Sequence, residues 1–427
     1  MAKRRKRRKK RRLKWKNIII ACILVIALLA GLVFGGLTLK NKLSNKSNKT
    51  KKPKVELVKP KKEEEKETSI TMITAGDNLI HSSVYKDANR NAGYNGYDFK
   101  PMYELIKPIV SKYDLAYYNQ ESILGGTKLG LNDYPTFNSP QETGDAMIDA
   151  GFNIVSLATN HTMDSGEKAV LSSREYWDSK TDILAVGSYA STEDKNKIRI
   201  KEEKGIKYTM LNYTYGTNGM PVPSGKDYLV NVWPTNLDIN DPERDDEYQE
   251  YKKQVKKDVE EVRDKVDVLF VAMHWGVEYT HDPTEYEKDM AKYLAELGVD
   301  VIIGTHPHVV QPVTWIDNTL VIYSLGNFIS AQYQNQSTCT NYKCTTGLMT
   351  SFKITKTTKG KKTNIKIDDI NNELIYTYYS GWANFKVIPF SNAEIANRLP
   401  GYKNIYEIYK SVVTKLDQNM KVVPVYG

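Results

Sequence analysis

The sequence predicts an α/β fold preceded by one transmembrane helix. Three observations carry that expectation. Residues 18–39 form an uncharged, almost wholly apolar run. From residue 68 onward, short runs rich in β-branched residues alternate with helix-patterned stretches, the signature of an α/β sandwich. The charge is divided sharply between the N-terminus and the rest. A chain of 427 residues, 40% hydrophobic and 26% charged, can bury a sizeable core and is not disordered throughout.

The N-terminal elements read in order. Residues 1–17 are a basic tail, and residues 1–16 alone hold twelve Lys or Arg and no acid. As a helix, residues 18–39 would be roughly 33 Å long, enough for a hydrocarbon core of about 30 Å. The run exceeds a signal-peptide core and lacks a small-residue cleavage site, so it reads as an uncleaved signal anchor. No cysteine follows it to carry a lipid. The basic tail sets the N-terminus in the cytoplasm, which places the main domain outside the cell membrane. Residues 40–67, with eleven Lys and five Glu, read as a charged flexible linker.

Residues 68–427 carry 38 Lys and Arg against 46 Asp and Glu, a net charge of −8. The main domain therefore lacks the basic footprint of a nucleic-acid binder, and no nucleic-acid partner is expected. Strands are predicted at 70–75, 153–158, 183–186, 208–213, 268–273, 301–303 and 320–325. A charged helix is predicted over 242–265, capped by Asp241 with Pro242 in its first turn. Another spans 283–297, with Asp282 as cap and Glu285 at the capping-box position. Residues 348–427 read as added strands and helices that complete the domain, beginning with a hairpin around Thr358-Lys359-Gly360. Three cysteines exclude a disulfide-rich scaffold and a cysteine-type zinc site. Cys22 lies in the apolar span. Cys339 and Cys344 can close a small disulfide in an exported domain.

The chemistry sits where strands end. Gly76-Asp77-Asn78-Leu79-Ile80-His81, Thr159-Asn160-His161 with Asp164 and Gly166, His274-Trp275-Gly276 and Gly304-Thr305-His306-Pro307-His308 each follow a predicted strand, and Asn119-Gln120-Glu121 follows the run Leu115–Tyr118. In open α/β sheets the carboxyl ends of the strands form the ligand crevice. One histidine after a strand is ordinarily structural. Five loops delivering imidazole, carboxylate and carboxamide to one edge point to metal. The mixed set exceeds what one tetrahedral zinc needs and suits two divalent cations, Mn, Zn or Fe. His281 is expected at the surface. Trp275 is expected to pack. Thr214–Gly225 stands open between a substrate-covering loop and an ordinary connection.

These motifs, with Tyr323-Ser324-Leu325-Gly326-Asn327-Phe328, occur in the order of the CapA family. Those are poly-γ-glutamate capsule biosynthesis proteins related to calcineurin-like metallophosphoesterases. The resemblance covers roughly residues 70–330 and implies a four-layer α/β/β/α metallophosphoesterase-like sandwich. It implies Asp77, Glu121, Asn160, His274, His306 and His308 as metal ligands, with Glu121 in the bridging place. It implies His161 as general acid or leaving-group stabiliser, accompanied by Asp164. His81 and Asn119 stand as possible site residues. The broader pattern places a histidine two residues after the first aspartate, where this chain has Leu79.

Two functions follow. One is a membrane-anchored, external metal-dependent hydrolase acting on a phosphoester or an anionic capsule polymer of poly-γ-glutamate type. The other is a non-catalytic polymer-binding or scaffold component beside membrane-bound capsule synthetase subunits.

Overall fold

The fold begins with β1 (Glu65–Asn78), followed by α1 (Ser82–Asn91), β2 (Leu115–Asn119), α2 (Glu142–Ala150), β3 (Ile154–Ser156), α3 (Gly166–Asp178) and β4 (Leu184–Val186). The second half opens with β5 (Lys201–Glu203), β6 (Ile206–Thr214), α4 (Asp245–Arg263) and β7 (Val268–His274). It continues with α5 (Glu285–Glu296), β8 (Val301–Thr305), β9 (Val313–Ile316) and β10 (Thr319–Ile322). Then β11 (Asn327–Ile329), β12 (Thr346–Lys359), β13 (Lys362–Ser380) and β14 (Ala383–Pro389) return the chain to the first sheet, before α6 (Tyr402–Val413). The computed structural model describes residues 65–232, 245–332 and 337–427. The predicted basic tail, the 18–39 span with Cys22, linker residues 40–64 and the Asp241–Pro242 cap lie outside them. Among the described residues, no helix is long and apolar enough to cross a membrane.

The strands form two sheets. The first runs β14-β13-β12-β1-β2-β3-β4, with β11 paired to the end of β1; the second runs β5-β6-β7-β8-β10-β9. The central strands β1 to β4 are parallel, as are β6, β7, β8 and β10. Side chains alternate across each strand. Ile70 and Met72 of β1 join Val268, Phe270 and Ala272 of β7 in one core between the sheets. Ile73 and Ala75 face a second core with residues of α1, α2 and α3, including Val84, Met147 and Trp177. Leu269, Val271 and Met273 face a third with Val255, Val259, Met290 and Leu294 of α4 and α5. Burial on both faces explains why these strands read as continuous apolar runs. The layers are helix, sheet, sheet, helix.

Three boundaries differ from expectation. β1 begins at Glu65, inside the predicted linker, because Glu65 pairs with Lys359 and the ladder continues to Thr74–Thr350. Residues 65–67 are therefore strand and not linker. The capping box of α5 uses Thr284 and Glu287, two residues beyond the predicted Asp282 and Glu285. The hairpin closes at the Lys359–Lys362 pair, leaving Gly360 and Lys361 as a two-residue turn. Residues after 347 extend the first sheet through β12, β13 and β14, and α6 sends Ile405, Tyr406, Tyr409 and Val413 into the inter-sheet core.

Candidate metal centre

Parallel strands of both sheets end at the same edge of the sandwich, so their loops converge there. Asp77 lies in the last turn of the β1 backbone, Asn119 ends β2 and His274 ends β7. Glu121 follows β2 by two residues, Asn160 and His161 follow β3, and His306 and His308 follow β8. The β8 exit is tightly built. A Cβ on Gly304 would lie 1.8 Å from the Tyr323 carbonyl oxygen, so only glycine allows the approach. His306 and His308 both take left-handed backbone, with φ of 96° and 59°. Such angles cost a non-glycine residue about 1–2 kcal/mol each and concentrate at functional sites.

The structure brings together all six predicted ligands. Glu121 Oε1 lies 3.7 Å from His274 Nε2 and 3.6 Å from His308 Nε2, and Asp77 Oδ2 lies 3.6 Å from His308 Nδ1. His274 Nε2 stands 2.9 Å from Asn160 Oδ1. Glu121, His274 and His306 form one group whose ligand atoms fall within 4.8 Å of one another; Asp77, Glu121 and His308 form a second. Asn119 supports them: its amide donates to Asp77 Oδ1 at 2.8 Å and lies 3.4 Å from His274 Nδ1. His161 Nδ1 sits 2.6 Å from Asp164 Oδ2, which also accepts the Phe137 N–H at 2.7 Å.

The donor set fits divalent cations. Two ligands each about 2.1 Å from one tetrahedral ion stand roughly 3.4 Å apart, close to the separations of 3.6 and 3.7 Å at Glu121 and Asp77 and longer than a hydrogen bond. Both carboxylate oxygens of Glu121 and Nδ1 of His306 are buried with no hydrogen-bond partner among the described residues. Orphaned buried acceptors of this kind are costly without a ligand. The electrostatics of the buried groups carry the same tension. Burial pushes Glu121 well above the usual carboxylate range and also raises Asp77, against the pull of His308. Burial, aided by neighbouring histidines, depresses His274 well below its ordinary value and brings His306 down to about 3. Burial also opposes the charge on His308, yet Glu121, Glu278 and Asp77 together raise it to about 10.

Some residues fall elsewhere. His81 joins neither ligand group. Its Nδ1 accepts the Ala331 N–H at 3.2 Å, its ring meets Phe137 edge-on, and burial lowers it to about 4. The loop from Leu79 turns the imidazole toward β11 and away from the ligands. His281 is half-buried rather than at the surface, with Nδ1 2.8 Å from the Val310 carbonyl. Trp275 packs as expected, donating to Tyr323 O. Asn327 lies beneath the site, its Oδ1 3.0 Å from His308 Nδ1. Cys339 and Cys344 are bonded.

Three further residues belong to the site. Glu278 forms a third group with His306 and His308. Tyr215 tilts over His306 with ring centroids 4.3 Å apart. Asn218 accepts from Asn160 Nδ2 at 3.2 Å and lies 3.3 Å from His161 Nδ1. Glu278 stood in the sequence four residues past His274, an acid in a loop already marked. Tyr215 and Asn218 lie in the Thr214–Gly225 loop, whose glycines and prolines concealed them.

A family model described as bacterial capsule synthesis protein PGA_cap matches residues 71–332, well over half the chain. The chain is 28% identical over 198 residues to the PGA biosynthesis protein CapA of Bacillus subtilis (strain 168), covering 45% of this chain and 46% of that protein. It is 28% identical over 195 residues to the capsule biosynthesis protein CapA of Bacillus anthracis, covering 46% and 44%. The chain spans about half the length of these relatives. It is also similar to the solved structure of a 5'-nucleotidase from Candida albicans SC5314, at 14% identity and a TM-score of 0.35 over 66% of this chain and 46% of that one.

Proposed function

We propose a capsule-polymer function from one premise: the chain belongs to the bacterial capsule synthesis protein family. In this reading it acts in capsule or cell-envelope polymer biosynthesis as a metal-dependent hydrolase resembling the metallophosphoesterases. The carrying observation is Glu121. Both its oxygens are buried and unpartnered, and Oε1 lies 3.7 Å from His274 Nε2 and 3.6 Å from His308 Nε2. That is the arrangement of a carboxylate shared by two cation positions.

Asp77, Glu121 and His308 would hold one cation; Glu121, Asn160, His274 and His306 would hold the other. Divalent ions there supply Lewis acidity and lower the pKa of bound water. The chain's own residues do the rest. Asn119 fixes the Asp77 carboxylate. Asn327 orients His308. Asp164 engages His161 Nδ1, leaving Nε2 to deliver a proton to a leaving group. Buried walls around Asp77, Glu121 and His274 exclude bulk water.

In the same reading, residues 18–39 anchor the chain in the cell membrane with the N-terminus inside. The domain works outside, near membrane-bound synthetase subunits, on an anionic capsule polymer or a phosphoester. The uncharged run, the basic residues before it and the Cys339–Cys344 pairing support that placement. The test is metal stoichiometry by plasma mass spectrometry on the purified full-length chain, with assays on a generic phosphate ester and on poly-γ-glutamate. About two divalent ions per chain with metal-dependent turnover is the expected result. No bound ion after reconstitution would overturn the hydrolase and leave a polymer-holding role.

A further inference from the structure

We propose that Glu278 is a metal ligand: the carboxylate that completes, from the solvent side, a cation position at His308, where it groups with His306 and His308. This rests on the metal reading above.

The tautomer of His308 comes first. Its Nδ1 is 3.0 Å from Asn327 Oδ1, and a carbonyl oxygen can only accept, so Nδ1 carries the proton in the ligating form. Nε2 is then the free lone pair. It lies 3.6 Å from Glu121 Oε1 and 3.7 Å from Glu278 Oε1. A lone pair facing carboxylate oxygens at these distances is repelled unless a positive charge, a proton or a cation, stands between them. The separations are those of donors sharing one ion, about 3.4 Å, and not of direct hydrogen bonds. Glu278 also groups with His306, whose Nδ1 is buried and unpartnered.

The backbone holds Glu278 there. Gly276 has φ of 87°, and a Cβ on it would strike the Glu287 carboxylate at 2.6 Å. Tyr279, at φ of 62°, donates its N–H to the Pro307 carbonyl at 2.8 Å, between the two histidines. The loop after β7 is thereby pinned to the loop after β8, with Glu278 beside the pin. The Glu278 side chain is 45% exposed, whereas those of Asp77 and Glu121 are fully buried. It is the ligand on the open side, the one an entering substrate oxygen would meet and displace.

Equilibrium binding of Mn²⁺ and Zn²⁺ to the full-length chain, read by plasma mass spectrometry after dialysis against metal buffers, tests this. Glu278→Ala should weaken one of two cation equivalents by at least about tenfold and leave the other unchanged. Glu278→Gln should fall between the variant and wild type. His274→Ala should weaken the other equivalent. Thermal unfolding of the metal-free Glu278→Ala chain should match wild type, since the residue is half-exposed. If Glu278→Ala binds both equivalents with wild-type affinity while His308→Ala does not, Glu278 is no ligand and the metal centre stands without it. If the wild-type chain binds no divalent ion, the metal reading and this proposal fall together.

Discussion

Asn212 of β6 holds the amide of Ala158 across the gap between the two sheets, with Oδ1 2.7 Å from its nitrogen and 3.0 Å from that of Leu157. One buried side chain of the second sheet therefore supports the exit of β3, the loop that presents Asn160 and His161. Gly187 is built around the same group: a Cβ there would lie 2.0 Å from Asn212 Oδ1. Asn212→Ala should strand the Ala158 amide, while the Leu157 N–H keeps its 2.8 Å bond to the Val186 carbonyl, and cost about 1–3 kcal/mol. Denaturant unfolding measures the loss. A change below 0.5 kcal/mol or so would mean water replaces the carboxamide.

His306→Ala should remove at least one bound cation while leaving the fold intact. The imidazole has no partner for Nδ1, so the metal-free variant should differ in stability by no more than about 1–2 kcal/mol. Plasma mass spectrometry and thermal unfolding on the same samples separate the two effects. Full metal retention would remove His306 from the ligand set.

Much of this site could be read in the chain because strand ends are local features. His306-Pro307-His308 follows the β-branched run Val301-Ile302-Ile303 and Asn119-Gln120-Glu121 follows the apolar run Leu115–Tyr118, and parallel strands deliver such exits to one edge. Glu278, Tyr215 and Asn218 were not singled out, because their roles depend on which loops meet in space. The Tyr279–Pro307 hydrogen bond that locates Glu278 joins residues from two crossovers. Likewise the extension of β1 to Glu65 comes from its partner strand 294 residues away in β12, which no local propensity encodes. His81 had the right position in sequence, but the Ala331 amide claims its Nδ1.

Stability should fall as pH rises from about 5 to 8, in part through Glu287. This carboxylate is fully buried; Oε2 accepts from the Thr284 N–H and hydroxyl, while Oε1 has no hydrogen-bond partner. Burial raises it from 4.5 to about 7, outweighing those bonds. Between these values the folded chain binds a proton that the unfolded chain releases, so folding is favoured at the acidic end. That advantage, up to about 3 kcal/mol, is lost as pH climbs through 7. Glu287→Gln should flatten this part of the profile in urea unfolding at pH 5 and pH 8. An unchanged slope would assign the dependence to other groups.

Asp164→Asn should separate proton delivery from metal binding. The single oxygen Oδ2 serves both His161 Nδ1 and the Phe137 N–H, so the carboxamide oxygen of asparagine can occupy the same place. The geometry survives; the negative charge that supports a protonated His161 does not. General-acid help is needed most when the leaving oxygen is a strong base, so the loss should depend on the substrate. Alkyl phosphate esters should slow by about 10²-fold or more, while an activated nitrophenyl ester should be nearly unaffected. Bound metal should equal that of the wild type. Equal slowing of both esters would show that Asp164 holds the Phe137 loop and that His161 does not deliver the proton.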